Sequence, residues 1–161
     1  GFTLGYRASV PYVFVKVWVP EAKLEDKDKY FKEFHEDFLE MIVREAPIVT
    51  LLKQIADNKP IIVDGLSEGL LLNQFLKAKN SKEISGWNFP ILSGKYEVKS
   101  NKILGLYQES TDSFLVKLNW DGFQYEEISH TPYKFKLSSV RAQLCAIEMA
   151  FMKWAEILSD L

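Results

Sequence analysis

The sequence has only one cysteine, Cys145, so the chain cannot form an internal disulfide. Small secreted domains commonly depend on several disulfides, and that class is therefore excluded. The first residues also lack the charged and then apolar layout of a secretory signal. These two absences together predict an intracellular, cytoplasmic protein.

Long apolar runs and an excess of one charge are also missing. The longest apolar stretch, residues 10–19, has about half the length that a membrane-spanning helix needs, and Lys16 interrupts it. The 20 basic and 22 acidic residues nearly cancel, so no large field of one sign could hold nucleic acid or an anionic membrane. We therefore expect no membrane contact, and the net charge does not favour nucleic acid as a partner.

The composition that is present is typical of one folded domain. Hydrophobic residues make up 47% of the 161 residues and charged residues 26%, close to the balance of globular proteins. The length falls within the range of one domain, and no repeat or low-complexity linker divides the chain. The sequence therefore predicts a single domain over residues 1–161.

Hydrophobic periodicity predicts the elements of the first half. Residues 10–19 alternate but are apolar on both sides, which predicts an interior strand or one covered on both sides. Helical spacing follows over residues 24–44 and again over residues 48–55. A short buried strand over residues 61–63 ends at Asp64 and Gly65, and a helix is expected over residues 66–79, with Asp64 as its cap.

In the second half the period changes to two. Four antiparallel strands are expected over residues 95–99, 102–109, 113–120 and 123–129, with a type I′ hairpin at Asp121 and Gly122. A long helix capped by Ser138 or Ser139 completes the chain. The predicted fold is an α+β domain in which an antiparallel β-meander packs against helices, in the order β-α-α-β-α-β-β-β-β-α.

Two acids and a lysine form the sharpest candidate for catalysis. Asp64 and Glu97, placed at strand ends, could hold a divalent cation, and Lys99 on the same strand face as Glu97 could orient or deprotonate a water. This pattern resembles the metal-dependent nucleases that combine an Asp with a later Glu-x-Lys. The resemblance implies a divalent metal as cofactor, and the acid that such sites often take from a preceding helix would be Glu36, Glu40 or Glu45.

The pattern also departs from that family. Val63 stands where a proline often precedes the first Asp, and a whole predicted helix separates Asp64 from Glu97. Ion pairing across strands explains an alternating Glu and Lys equally well.

Other reactive residues fit structural roles better than catalysis. His35 lacks the second histidine of a zincin helix, because Leu39 stands where that histidine belongs. His130 precedes a Thr-Pro turn, which predicts a role in the turn. Cys145 lies on the apolar side of the last helix, which predicts a buried, unreactive thiol. No phosphate-binding loop and no serine-hydrolase elbow is present.

Binding is expected at two places. Trp87, Tyr107, Trp120 and Tyr125 are candidates to line a ligand pocket between the meander and the helices. The last helix, residues 139–161, has an apolar stripe wide enough to meet a partner protein or a second copy of the chain.

By elimination, the leading prediction is a non-catalytic binding or interaction domain with a protein partner. Two alternatives stay open: a metal-dependent nuclease or phosphodiesterase that uses Asp64, Glu97 and Lys99, and a homo-oligomeric structural module assembled through the C-terminal helix.

Overall fold

The computed structural model describes residues 3–9, 12–38, 45–79, 89–94 and 97–161. The chain divides into two compact units, residues 1–44 and residues 45–161, and each is described by itself. The single domain expected over residues 1–161 stays a prediction. Throughout the described ranges, no helix is both long enough and apolar enough to cross a membrane.

The first unit contains a β-hairpin and a helix. Strands β1 (Thr3–Ser9) and β2 (Tyr12–Trp18) are antiparallel, with each residue of one opposite a residue of the other from end to end. A 3-10 helix (Glu21–Asp26) leads into α1 (Lys27–Phe38). The predicted strand and helix are thus present at the described residues, except that residues 24–26 are 3-10. Residues 39–44 of the predicted helix lie outside the described part.

Periodicity does not predict β1, and it wrongly predicts that β2 is interior or covered on both sides, because Val13 on one side and Trp18 on the other are exposed. Strand β2 has β1 as its one partner among the described strands. Gly5 breaks the hydrophobic alternation of β1, but the two-stranded sheet of β1 and β2 has no room for a larger residue there. The Trp18 ring lies across Gly5, and an added Cβ would come within 2.5 Å of a ring carbon.

The second unit is a five-stranded mixed sheet with helices packed against it, which confirms the α+β class. The strands are β3 (Ile61–Gly65), β4 (Ile91–Ser93), β5 (Lys102–Gln108), β6 (Ser113–Trp120) and β7 (Phe123–His130). Their order across the sheet is β4-β3-β5-β6-β7. Strand β3 is parallel to β4 and β5, and the remaining pairs are antiparallel. The helices are α2 (Pro47–Ile55), α3 (Leu70–Lys79) and α4 (Val140–Ser159).

The meander is confirmed for three of its four predicted strands, and the first one is wrong at its described residues. Residues 97–99 form no strand, and residues 95–96 lie outside the described part. The described strand that precedes β5 is Ile91–Ser93, which pairs with β3 instead of extending the meander. Such a short strand between Pro90 and Gly94 has too few residues for a period of two to be read.

The helices share their core with one face of the sheet, which we call the helix-covered face. Alternate residues of β5 and β6 point into this core, including Leu104, Leu106 and Leu118. Phe151 and Trp154 of α4 are fully buried there, and the ring centroids of Phe151 and Phe75 lie 5.3 Å apart. Because strand residues alternate, Tyr107, Lys117 and Glu126 belong to the opposite side, the second face.

Two local predictions, a β-turn and a helix cap, are confirmed. Asp121 and Gly122 both have positive φ, 49° and 97°, as a type I′ turn between β6 and β7 requires. Ser139 is the cap of α4, because its Oγ accepts a hydrogen bond from the Ala142 backbone N–H at 3.2 Å.

Candidate functional site

Asp64 is the one strongly buried acid of the described chain, with 1% of its surface exposed. Its Oδ1 accepts from the backbone N–H groups of Leu66 (3.2 Å) and Ser67 (2.7 Å). Its Oδ2 accepts from Ser67 Oγ (2.6 Å) and the Gly69 N–H (3.1 Å). A carboxylate has about four acceptor positions, so these donors use all of them. Asp64 therefore fixes the turn after β3 and has no free position for a cation.

The effect of Asp64 extends into α3. Ser67 Oγ, which donates to Asp64, also accepts from the Leu71 backbone N–H at 3.0 Å and so caps the helix. Helix α3 consequently begins at Leu70, later than the predicted residue 66, because residues 66–69 form the turn that Asp64 holds.

The other two nuclease residues lie on an irregular segment before β5. Glu97 and Lys99 are exposed and lie outside any strand, so the alternation that would align them on one face is absent. Within the described ranges, no group of three or more His, Cys, Asp or Glu side chains could hold a metal ion. The donor set at Asp64 does not fit a divalent cation, and the nuclease role of these three residues stays a prediction.

Of the three helix acids considered with them, the structure describes two. Glu36 is exposed on α1 of the first unit, and Glu40 lies outside the described residues. Glu45 accepts hydrogen bonds from Lys53 and, at 2.9 Å, from Thr50 Oγ1, and the Lys53 bond is the main cause of its lowered pKa.

The aromatic candidates occupy different faces of the sheet. Trp120 and Tyr125 pack against the core on the helix-covered face, whereas Tyr107 is on the second face. Trp87 lies outside the described residues. The three described rings therefore do not line one pocket, and ligand binding by any of them stays a prediction.

Tyr107 lies flat on the second face over two glycines. A Cβ added to Gly65 or Gly105 would come within 2.5 or 2.6 Å of its ring carbons. Lys117 Nζ is 5.9 Å from the centroid of the Tyr107 ring and forms an ion pair of 2.7 Å with Glu126. Burial of the ring raises the pKa of the Tyr107 phenol.

This packing gives a double-mutant test. Gly105→Ala is expected to destabilise the protein by about 1–3 kcal/mol, because the new methyl group overlaps the Tyr107 ring. On a Tyr107→Ala background the same glycine substitution should cost much less, since the ring is gone. Urea unfolding of the four proteins measures the coupling, and additive effects would contradict the contact.

A polar network joins β7 to α4 on the helix-covered face. Tyr125 Oη donates to Glu127 Oε2, Ser129 Oγ donates to Glu127 Oε1 at 3.2 Å, and Lys153 Nζ lies 3.4 Å from Glu127 Oε2. The Tyr125 hydrogen bond is the main cause of the lowered pKa of Glu127. Desolvation by burial is the main cause of the raised pKa of the Tyr125 phenol.

The lowered pKa of Glu127 fixes the sign of a pH effect. The pKa of Glu127 is lower in the folded state than in the unfolded chain. Its carboxylate therefore contributes to the free energy of unfolding above the unfolded pKa, and this contribution is lost as the pH falls through the folded pKa. We expect Glu127→Gln to remove part of the fall in stability on acidification. Unfolding curves from neutral to acidic pH test this, and Glu109→Gln, at an exposed position, should leave the fall unchanged.

The remaining reactive residues belong to three different elements. His35 lies in α1, and His130 is the exposed last residue of β7. Cys145 is buried in α4, and desolvation raises the pKa of its thiol to about 11.

Cys145 should therefore be unreactive in the folded protein. At pH 8 a thiol with this pKa has about one hundredth of the thiolate of an ordinary cysteine, and burial further limits access. Modification by a disulfide reagent is expected to be at least about 100-fold slower in buffer than in denaturant. Equal rates would show an exposed thiol.

The apolar stripe of α4 is largely occupied by the protein itself. Its fully buried positions include Ile147, Phe151 and Trp154. Of the exposed apolar residues, Val140 is the first residue of the helix, Met152 lies further along it and Leu161 follows its end, so they do not form one stripe. Assembly through residues 139–161 stays a prediction.

Sequence patterning missed the free edge of β7. The two-residue turn makes Trp120 and Phe123 a hydrogen-bonded pair, and such pairs alternate along an antiparallel ladder. The backbone groups of the intervening residues therefore point away from β6: Gln124, Glu126, Ile128 and His130. The Asp-Gly turn could have revealed this pattern from the sequence, because a two-residue turn determines which alternate residues of β7 form hydrogen bonds to β6 and which point away from it.

No known protein family model matches this sequence, and no curated protein matches it either.

Proposed function

We propose that this protein is a non-catalytic binding domain that takes up an extended polypeptide strand at the free edge of β7. The observation behind the proposal is the row of outward-pointing backbone N–H and C=O groups at residues 124, 126, 128 and 130. No other strand of the described chain pairs with that side of β7. An extended peptide offers donors and acceptors at the same repeat, which is the basis of strand addition.

The two edges of the sheet differ in a way that favours β7. The opposite edge strand, β4, has three residues and offers few backbone groups. Strand β7 has eight residues in unbroken register with β6, and it contains neither proline nor lysine. Proteins commonly protect an edge strand with those residues, with a bulge or by making it very short.

The acidic side chains of β7 are also held by inner elements of the fold. Glu126 forms an ion pair with Lys117 of β6, and Glu127 forms one with Lys153 of α4. Both carboxylates are thus drawn toward positive charge on the fold. Ile128 adds an apolar contact, because 56% of its side chain surface is exposed.

Selection of displayed random peptides on the full chain tests the proposal. The chain is immobilised at a density where it is monomeric. Peptides that it enriches are expected to lose binding to Ile128→Pro, which removes an outward N–H. An edge strand tolerates proline at such a position, so the variant should still fold. Absence of enriched peptides, or peptides that bind Ile128→Pro equally well, would refute strand addition at β7.

A further inference from the structure

We infer that the strand which β7 accepts is β7 of a second copy, in an antiparallel register centred on Ile128. This inference rests on the proposed function, because it names the partner of the same edge. The result would be a two-fold symmetric dimer in which two five-stranded sheets form one continuous sheet.

The hydrogen-bonding phase restricts how two copies can pair. The residues of β7 whose backbone groups point away from β6 must lie opposite the same kind of residue in the second copy. The two-fold axis therefore passes between one residue and the same residue of the other copy, and that residue is the centre of the register. The two registers with the largest overlap are centred on Glu126 and on Glu127. Each brings a glutamate directly opposite its own copy, and like charges in that position repel.

Two shorter registers of equal overlap avoid that repulsion. In the register centred on Tyr125, Gln124 faces Glu126 and no pair of opposite charge is formed. In the register centred on Ile128, the exposed Ile128 side chains of the two copies face each other. Glu126 of each copy faces His130 of the other, so symmetry gives two such pairs. An imidazole N–H can donate to a carboxylate in either protonation state. The second register is therefore the one that the side chains favour.

Both faces of the sheet accept this register. Gln124, Glu126, Ile128 and His130 are exposed on the second face. On the helix-covered face, Glu127 would lie opposite Ser129 of the other copy. The overlap is short, and interfaces of this kind are smaller than those of permanent dimers. We expect a dissociation constant on the order of micromolar or weaker.

Analytical ultracentrifugation of the full chain over a range of concentrations tests the dimer. The wild type should show a reversible monomer–dimer equilibrium, and Ile128→Pro should be monomeric throughout. Gln124→Pro is the matched control, because it removes an outward N–H from the same strand but lies outside the overlap, and it should dimerise like the wild type.

A charge variant tests the register without proline. His130→Glu places a glutamate opposite Glu126 and should weaken the dimer about fivefold or more, whereas His130→Lys places a positive charge opposite Glu126 and should retain the dimer. Circular dichroism of each variant confirms folding.

The outcomes separate the two proposals. A wild type that stays monomeric, or a dimer that survives Ile128→Pro, overturns the dimer inference. If such a monomer still enriches peptides at the β7 edge, the proposed function stands without it. If it neither dimerises nor enriches peptides, both fail.

Discussion

Replacing Asp64 by alanine is expected to lower the free energy of unfolding by about 3–5 kcal/mol. The substitution removes an acceptor that is 1% exposed and leaves several N–H and O–H donors near Leu66, Ser67 and Gly69 without a partner. Each buried donor left unsatisfied costs about 1–3 kcal/mol before relaxation. Chemical denaturation with circular dichroism measures the change.

Two further variants make this result specific. Ser67→Ala removes one hydrogen bond to Asp64 and the cap of α3, and it should cost about 1–2 kcal/mol. Asp64→Asn should lie between Ser67→Ala and Asp64→Ala, because one amide nitrogen would face donors.

The same measurement separates the role of Asp64 in fixing the turn from the nuclease hypothesis. Carboxylates that bind a metal commonly lower stability when the metal is absent, and their removal is then neutral or stabilising. A metal-free Asp64→Ala protein as stable as the wild type would contradict the role in the turn. A large loss that added Mg²⁺ does not modify would support it.

Trp154→Ala is expected to destabilise the protein by about 3–5 kcal/mol. Trp154 is fully buried, its ring centroid is 6.2 Å from that of Phe151, and its indole Nε1–H donates to the Lys117 carbonyl at 3.0 Å. Truncation therefore leaves a large cavity between α4 and β6 as well as an unpaired carbonyl. Thermal and urea unfolding measure the loss.

Variants on the same helix provide the comparison. Trp154→Phe keeps most of the ring volume but removes the indole donor, so about 1–2 kcal/mol should be lost. Met152→Ala lies on the same helix with its side chain 42% exposed, and its effect should stay within about 0.5 kcal/mol. A Trp154→Ala protein no less stable than Met152→Ala would refute the buried position of this ring.

Long or strongly marked elements could be predicted from the sequence. Helix α4, its Ser139 cap and the hairpin at Asp121 and Gly122 each have a local cause, and each is confirmed. Strands β1 and β4 were not predicted because neither shows a readable alternation. A glycine needed by the Trp18 ring interrupts one, and the other is three residues long.

The candidate sites, too, have some features that could be predicted from the sequence and others that could not. The position of Asp64 after a buried strand was predictable, but the predicted helix cap is not what forms there. The four donors on its carboxylate belong to the turn before α3, which the pattern does not specify. Alternation at Glu97 and Lys99 predicted a strand where none forms. Which face of the sheet holds Tyr107 depends on register, and register is set between strands and not within one.

The place of β3 within the sheet bears on how the protein folds. Strands β5, β6 and β7 are joined by short turns, so their ladder needs little loop closure and is suited to form early. Strand β3 must be inserted between β4 and β5, and both of its ladders close long segments of chain. We therefore expect the rate-limiting step of folding to be the docking of β3 onto a preformed meander, so that the parallel part of the sheet forms last.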